Sequence, residues 1–210
     1  MQILPFPNGI YGATTYLLYD EKTLDALLID CTSSIDKIYS LAKEKNLNLK
    51  YVLITHGHFD HVYCLSKMKE KFPNTLIFIN KNDLPLLNQV ETQCNMAGVE
   101  VTKLPCIDGL LDENTKNIKI GEYEVKVIET KGHSKGGVCY LINNNLFSGD
   151  TLFYESIGRC DLFGGSIKEI EDSIRNKLYT LSDDIIVYPG HGDSTTIGHE
   201  KKYNGYFRGI

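Results

Sequence analysis

THGHFDH, residues 55–61, places four metal-ligating side chains, His56, His58, Asp60 and His61, close together in a 210-residue chain with six histidines. It follows the apolar run YVLIT directly, so the cluster stands where a buried strand gives way to a loop. Strand ends and loops are where a rigid scaffold presents reactive groups. The spacing differs from HExxH, in which two histidines share one helical face. His56 and His58 can reach one metal if the loop is tight, whereas the adjacent Asp60 and His61 diverge and suit a second.

The same local pattern, an apolar strand followed by a glycine or turn and then a ligand-type side chain, recurs three times. His133 lies in ETKGHSKGG, Asp150 in LFSGD and His191 in IIVYPGHG. The remaining histidine, His199 in TTIGHEK, reads as structural. Five histidines and two aspartates exceed the needs of one tetrahedral zinc and suit a two-metal site. Imidazole with carboxylate favours zinc, with iron or manganese as alternatives, and no cysteine lies beside these motifs to offer a thiolate. Two cations about 3.5–4 Å apart bring the pKa of a shared water to about 7 and polarise the oxygen of the bond under attack. A hydrolase is expected.

The rest of the chain supplies a scaffold. TTYLLYD and LDALLID read as a hairpin across DEKT, and SSIDKIYSLAKEKN as a helix capped by Ser33 or Ser34, with Ile35, Ile38, Leu41 and Ala42 at helical spacing. A helix over 61–72 should stop at Pro73. TLIFIN reads as a strand and NDLPLLNQV as a short helix. YEVKVIET, then GVCYLI with NLFSG, and DIIVYPG read as further strands. IKEIEDSIRNKLYTL reads as an amphipathic helix, with another short helix from Thr195. No linker divides the chain, so a single domain over 1–210 is expected, with sheets packed face to face and helices outside.

Composition narrows the partners. With 27 acidic against 22 basic side chains the net charge is −5, and the lysines of KEKNLNLK and KMKEKF are interleaved with glutamate on solvated faces. This argues against nucleic acid or an anionic membrane surface, and leaves a small-molecule substrate. No apolar run approaches a membrane span, and MQILPFPNGIYG lacks the features of a signal peptide. The six cysteines form no CxxC pair and read as reduced, mostly buried thiols of a cytoplasmic protein.

THGHFDH, KGHSKGG, SGDTLF and YPGHGDSTT together resemble the HxHxDH…H…D…H pattern of the metallo-β-lactamase superfamily, in order, over residues 55 to 191. SGDTLF, GRCDL and PGHGDSTTIGHEKKYN resemble its glyoxalase II-like branch, the hydroxyacylglutathione hydrolases and their short bacterial relatives. The resemblance implies an α+β fold, a four-layer αββα sandwich of two mixed sheets covered by helices, with the site at one edge. It implies that His56, His58 and His133 bind a first metal, that Asp60, His61 and His191 bind a second, and that Asp150 bridges them. The bridging hydroxide would be the nucleophile, with Asp60 helping to orient it. Arg159 in GRCDL matches a position where glyoxalase II carries a basic residue near the glutathione part of its substrate; it can equally pair with Asp161. Thr55 and Ser148 are candidates for orienting the imidazoles.

The pattern also departs from glyoxalase II. The sequence ends at Ile210 in the manner of the short branch, without the helical region that grips glutathione. Cys160–Asp161 and Gly192–Asp193 stand where the glutathione-side tyrosines would be. A thioester or related acyl substrate is therefore expected, without commitment to glutathione. Asp150 argues against true β-lactamases, His58 against flavodiiron reductases, and the missing basic surface against the nucleases. A mononuclear iron persulfide dioxygenase, with two histidines and a carboxylate on the metal, is the alternative, and a non-catalytic metal-binding protein a minor one.

Overall fold

The computed structural model describes residues 1–112, 114–115 and 118–208. The first sheet holds β1 (Gln2–Phe6), β2 (Thr15–Tyr19), β3 (Asp25–Ile29), β4 (Asn48–Leu53), β5 (Leu76–Asn80) and β6 (Gly109–Leu111) in chain order. Its first two pairings are antiparallel and the other three parallel. The second sheet contains β7 (Lys119–Ile120), β8 (Tyr123–Glu129), β9 (Val138–Ile142) and β10 (Asn145–Gly149). After a small ribbon, β11 (Leu152–Phe153) with β12 (Ser156–Ile157), it gains β13 (Ile186–Pro189) and β14 (Thr195–Thr196). Its order is β14-β13-β10-β9-β8-β7, with only the β10–β13 pairing parallel.

The near-continuous apolar strands are explained by their two covered faces. Alternation along β2 sends Leu17 and Tyr19 into one core and Tyr16 and Leu18 into another. Along β3, Ala26 and Leu28 part from Leu27 and Ile29 in the same way. The first core lies under α1 (Ile35–Glu44), α3 (Leu65–Lys71) and α5 (Val90–Ala97), and the second lies between the sheets. A third sits between the outer face of the second sheet and α6 (Ile167–Ser173) with α7 (Ile197–Tyr203). The result is the expected αββα sandwich. Two fully or nearly buried tyrosines tie the sheets together: Tyr16 donates its hydroxyl to the carbonyl of Pro189 and Tyr140 to that of Ile54, each at 2.7 Å.

Several elements differ from expectation. Ser34 occupies the N-cap of α1 in a left-handed conformation (φ 62°) and its side chain makes no capping bond, lying beside Ser33 instead. The helix expected over 61–72 is two pieces, α2 (Phe59–Val62) and α3, because the Cys64 amide is drawn to the carbonyl of Cys31, away from a helical partner. NDLPLLNQV folds as a tight turn and α4 (Leu84–Leu87), and α5, which follows, was not expected from sequence. Residues 174–178 widen into a π-helical turn after α6. The six cysteines are free thiols; Cys31, Cys94 and Cys139 are buried, while Cys106 is exposed. Among the described residues no helix is long and apolar enough to cross a membrane.

Candidate metal centre

The seven side chains named from sequence as ligands meet at one end of the sheet pair. His56 and His58 follow β4 on extended chain, and Asp60 and His61 enter α2; His133 follows β8, Asp150 follows β10, and His191 follows β13. Three groups of donor atoms each lie within 4.8 Å: His56, His58 and His133; His56, His61 and Asp150; Asp60, His61 and His191. Asp60 and His61 converge instead of diverging, with Asp60 Oδ2 3.8 Å from His61 Nε2. In the single turn of α2 successive side chains are about 100° apart, not the 180° of a strand. Asp150 stands between the outer triplets: Oδ2 lies 3.6 Å from His133 Nε2 and 3.4 Å from His191 Nε2, and Oδ1 lies 3.3 Å from His61 Nε2.

Four of the imidazoles are held through Nδ1, which turns Nε2 toward the centre. His56 Nδ1 lies 3.0 Å from the Thr55 hydroxyl, which itself donates to Asp30 Oδ2 at 2.8 Å. His61 Nδ1 donates to the same Asp30 oxygen at 2.7 Å, His133 Nδ1 to the Arg159 carbonyl at 2.8 Å, and His191 Nδ1 to the Tyr11 carbonyl at 3.2 Å. Such partners fix the tautomer and leave a lone pair on the other nitrogen. His58 is reversed: its Nδ1 faces His133 Nε2 at 2.9 Å.

The protein groups fit divalent cations. His56 Nε2 and Asp150 Oδ1 are buried without a hydrogen-bond partner, an arrangement that costs about 1–3 kcal/mol per group unless another species satisfies them. Donors bound tetrahedrally at about 2.0–2.1 Å stand roughly 3.3 Å apart, close to several separations here. Gly190 keeps this space open, since a Cβ there would lie 2.2 Å from Asp150 Oδ1 and 2.7 Å from His61 Cε1.

The charges divide the site into two halves. Burial pushes the pKa of His58 down to about 3 and that of His56 well below the usual histidine range, so both offer free lone pairs. Burial also disfavours charge on His61 and His191, but carboxylates outweigh it. Asp150, Asp30 and Asp60 raise His61 well above its ordinary value, and hydrogen bonds to Asp150 and Asp60 raise His191 to about 9. Burial would raise Asp150, yet His61 and His191 hold it well below the carboxylate range. A cation entering the triplet of Asp60, His61 and His191 must therefore displace protons.

A cavity of about 680 Å³ opens over His58, Asp60, His133, Asp150 and His191, within the size range of small-molecule sites. Arg159 reaches its wall, with the guanidinium paired to both oxygens of Asp161 at 2.8 and 2.7 Å. Thr55 contacts His56 as expected. Ser148 does not orient an imidazole; it donates to the Leu152 carbonyl at 2.7 Å and so holds the turn that carries Asp150. His199 lies outside the site, 3.0 Å from Glu155 Oε1 and stacked on Tyr154.

Two supporting carboxylates escaped the sequence reading. Asp30 ends LDALLID, the same strand-end pattern without a following glycine, and serves both Thr55 and His61. Asp83 is buried between two ligand loops: its Oδ2 accepts from the Gly57 amide and the Ser134 hydroxyl, both at 2.8 Å, and its Oδ1 from the Gly136 amide at 2.6 Å. Both glycines are packed against it, for a Cβ on Gly136 would meet the Asp83 amide nitrogen at 2.4 Å.

The profile described as the metallo-beta-lactamase superfamily matches residues 9–191, and the chain belongs to that superfamily. It is 32% identical over 213 residues to the hydroxyacylglutathione hydrolase GloC of Haemophilus influenzae, with 98% of each chain covered. It is 33% identical to the probable metallo-hydrolase YqgX of Bacillus subtilis, covering 97% of this chain and 96% of that one. These relatives support the glyoxalase II-like branch. Among solved structures it is similar to the BLEG-1 B3 metallo-beta-lactamase (TM-score 0.84, 32% identity, 97% of this chain and 98% of that chain). It is also similar to TTHA1623 in a di-iron-bound form (TM-score 0.85, 30% identity, 97% and 100%) and to ETHE1 from Myxococcus xanthus (0.79, 26%, 97% and 83%). The fold is that of the superfamily, and the His/Asp cluster gathers donor groups that could hold a metal ion.

Proposed function

We propose that this chain, working as a single domain over residues 1–210, is a dinuclear metallohydrolase that cleaves a thioester or related small acyl substrate. The observation that carries the reading is the pair of separate donor triplets, His56/His58/His133 and Asp60/His61/His191, with Asp150 between them. In this proposal the first triplet would hold one cation and the second another, with Asp150 serving both. Zinc suits the donors best, with iron or manganese as alternatives. When bound, the cations would supply hydroxide at neutral pH and polarise the acyl oxygen.

The chain's own groups then have defined tasks. Asp30 and Thr55 hold His61 and His56 in the ligating tautomer, and Asp60, 3.4 Å from His191 Nε2, helps to orient the attacking hydroxide. Attack forms a C–O bond at the carbonyl carbon, and the C–S bond breaks. The products are a carboxylate and a thiol whose sulfur takes up a proton. Arg159 is the group at the cavity wall that an anionic part of a substrate would meet.

A second reading, a mononuclear iron dioxygenase acting on a persulfide, draws on the grouping of His56, His61 and Asp150, two histidines and one carboxylate. Metal analysis of protein purified without added metal, with two assays, separates them. Two zinc ions and thioester cleavage support the hydrolase; one iron with persulfide-dependent oxygen uptake overturns it. A β-lactam assay belongs in the same panel, given the likeness to BLEG-1. Asp150→Ala should lose metal and turnover together, and full metal with a normal rate would refute the bridging role.

A further inference from the structure

We propose that the substrate carries an uncharged, apolar arm lying along the cavity wall, and that a charged carrier such as glutathione is the poorer fit; this rests on the hydrolase reading above. The wall of the cavity beside the metal centre is built from Tyr11, Phe59, Met96, Phe153, Leu162 and Phe163. Tyr11, Met96, Leu162 and Phe163 are 69%, 85%, 37% and 58% exposed, so their apolar surface gathers at the mouth without contributing much to the core. Exposed apolar side chains that cluster at a cleft mark a binding surface.

The wall is fastened to the catalytic end. Tyr11 packs edge-on against Phe59 with ring centroids 5.8 Å apart, and its carbonyl accepts from His191 Nδ1. Its backbone is held in the left-handed region (φ 55°), which sets the ring beside the cleft. The apolar wall is thus continuous with the reacting end of the cavity, and the arm of a bound substrate is what it would cover.

Charge points the same way. Outside the Asp and His ligands, Arg159 is the charged side chain among the described residues of the wall, and both Asp161 oxygens already engage it. Gln89, Thr92, Gln93 and Ser156 supply neutral polar surface, and Gln93 is committed to the Phe59 amide and the Leu86 carbonyl. An arm with two carboxylates would meet no unengaged cation here, in a chain of net charge −5.

The test uses the metal-loaded protein and acyl thioesters of N-acetylcysteamine, a neutral thiol, from acetyl to octanoyl, beside S-lactoylglutathione. Each methylene buried should raise kcat/KM about fourfold until the cavity is filled. The longer esters should surpass S-lactoylglutathione. Phe163→Ser and Leu162→Ser, at exposed positions, should fold normally and shrink the octanoyl-to-acetyl ratio. Binding of non-hydrolysable ketone isosteres, with CH₂ in place of sulfur, gives a readout independent of turnover. A flat length series, or preference for S-lactoylglutathione, overturns the inference. Length-dependent isostere binding without thioester cleavage would sustain the apolar arm and remove the hydrolase reading alone.

Discussion

Replacing Asp83 by Asn tests whether the metal loops are held from behind. The carboxylate accepts three bonds, from the Gly57 amide, the Ser134 hydroxyl and the Gly136 amide, and is buried. An amide of the same shape has one oxygen, so one side of the fork turns from acceptor to donor. If the oxygen keeps the Oδ2 position, Gly136 N–H faces an NH₂ group; in the reverse orientation Gly57 N–H does. Either way at least one buried backbone donor is orphaned, at a cost of about 1–3 kcal/mol. Because those donors sit beside His58 and His133, metal affinity should also fall, by the roughly 10–100-fold typical of outer supports. Urea unfolding of metal-stripped protein reads the first effect, and chelator competition on folded protein reads the second. Parental values in both would refute the argument. Lost stability with unchanged metal affinity would reduce Asp83 to a structural tie.

Other perturbations probe the site directly. Gly190→Ala places a methyl 2.2 Å from Asp150 Oδ1, so metal retained after gel filtration should drop sharply; full retention would show that the cradle can yield. Arg159→Ala should leave KM unchanged for an anionic and a neutral thioester alike, because Asp161 already engages the guanidinium, whereas a raised KM for the anionic one alone would show that Arg159 is free to meet the substrate. Metal-stripped protein should be most stable at about pH 6.5, the ordinary histidine value, and lose stability on either side of it. His58, ordinarily near 6.5, is pushed down to about 3 by burial, so the unfolded chain protonates first and stability is lost as pH falls through that interval. His191, raised to about 9 by its carboxylates against opposing burial, contributes below 6.5 and loses its contribution as pH rises through 9. Urea midpoints that stay flat from about pH 3 to 9 would contradict both assignments.

The ligands were legible because each combines a distinctive side chain with a strand end, and a strand end is a local signal. The sandwich was legible for a related reason: runs such as YVLIT and VCYLI lack a polar face and therefore need cover on both sides. Asp83 was not legible, since its partners lie 26, 51 and 53 residues away and nothing in NDLPLL announces them. The break between α2 and α3 was hidden for the same cause, a tertiary bond from Cys64 to Cys31 that overrides helical periodicity. Convergence of Asp60 with His61 depended on a single helical turn, too short to leave a pattern. For Arg159 the sequence held two readings open, and the structure shows the ion pair with Asp161.

The ligands are shared between the two sheets: His56, His58, Asp60 and His61 follow a strand of the first, while His133, Asp150 and His191 follow strands of the second. An ion bound across that seam would act as a clasp between the two halves of the chain. By mass action it would add about 2.7 kcal/mol to stability at a free concentration of 100 times its dissociation constant. The supply of metal would then govern how many copies stay folded and escape proteolysis, as well as how fast each one works. In a metal-starved cell, loss of activity would be accompanied by loss of the protein itself.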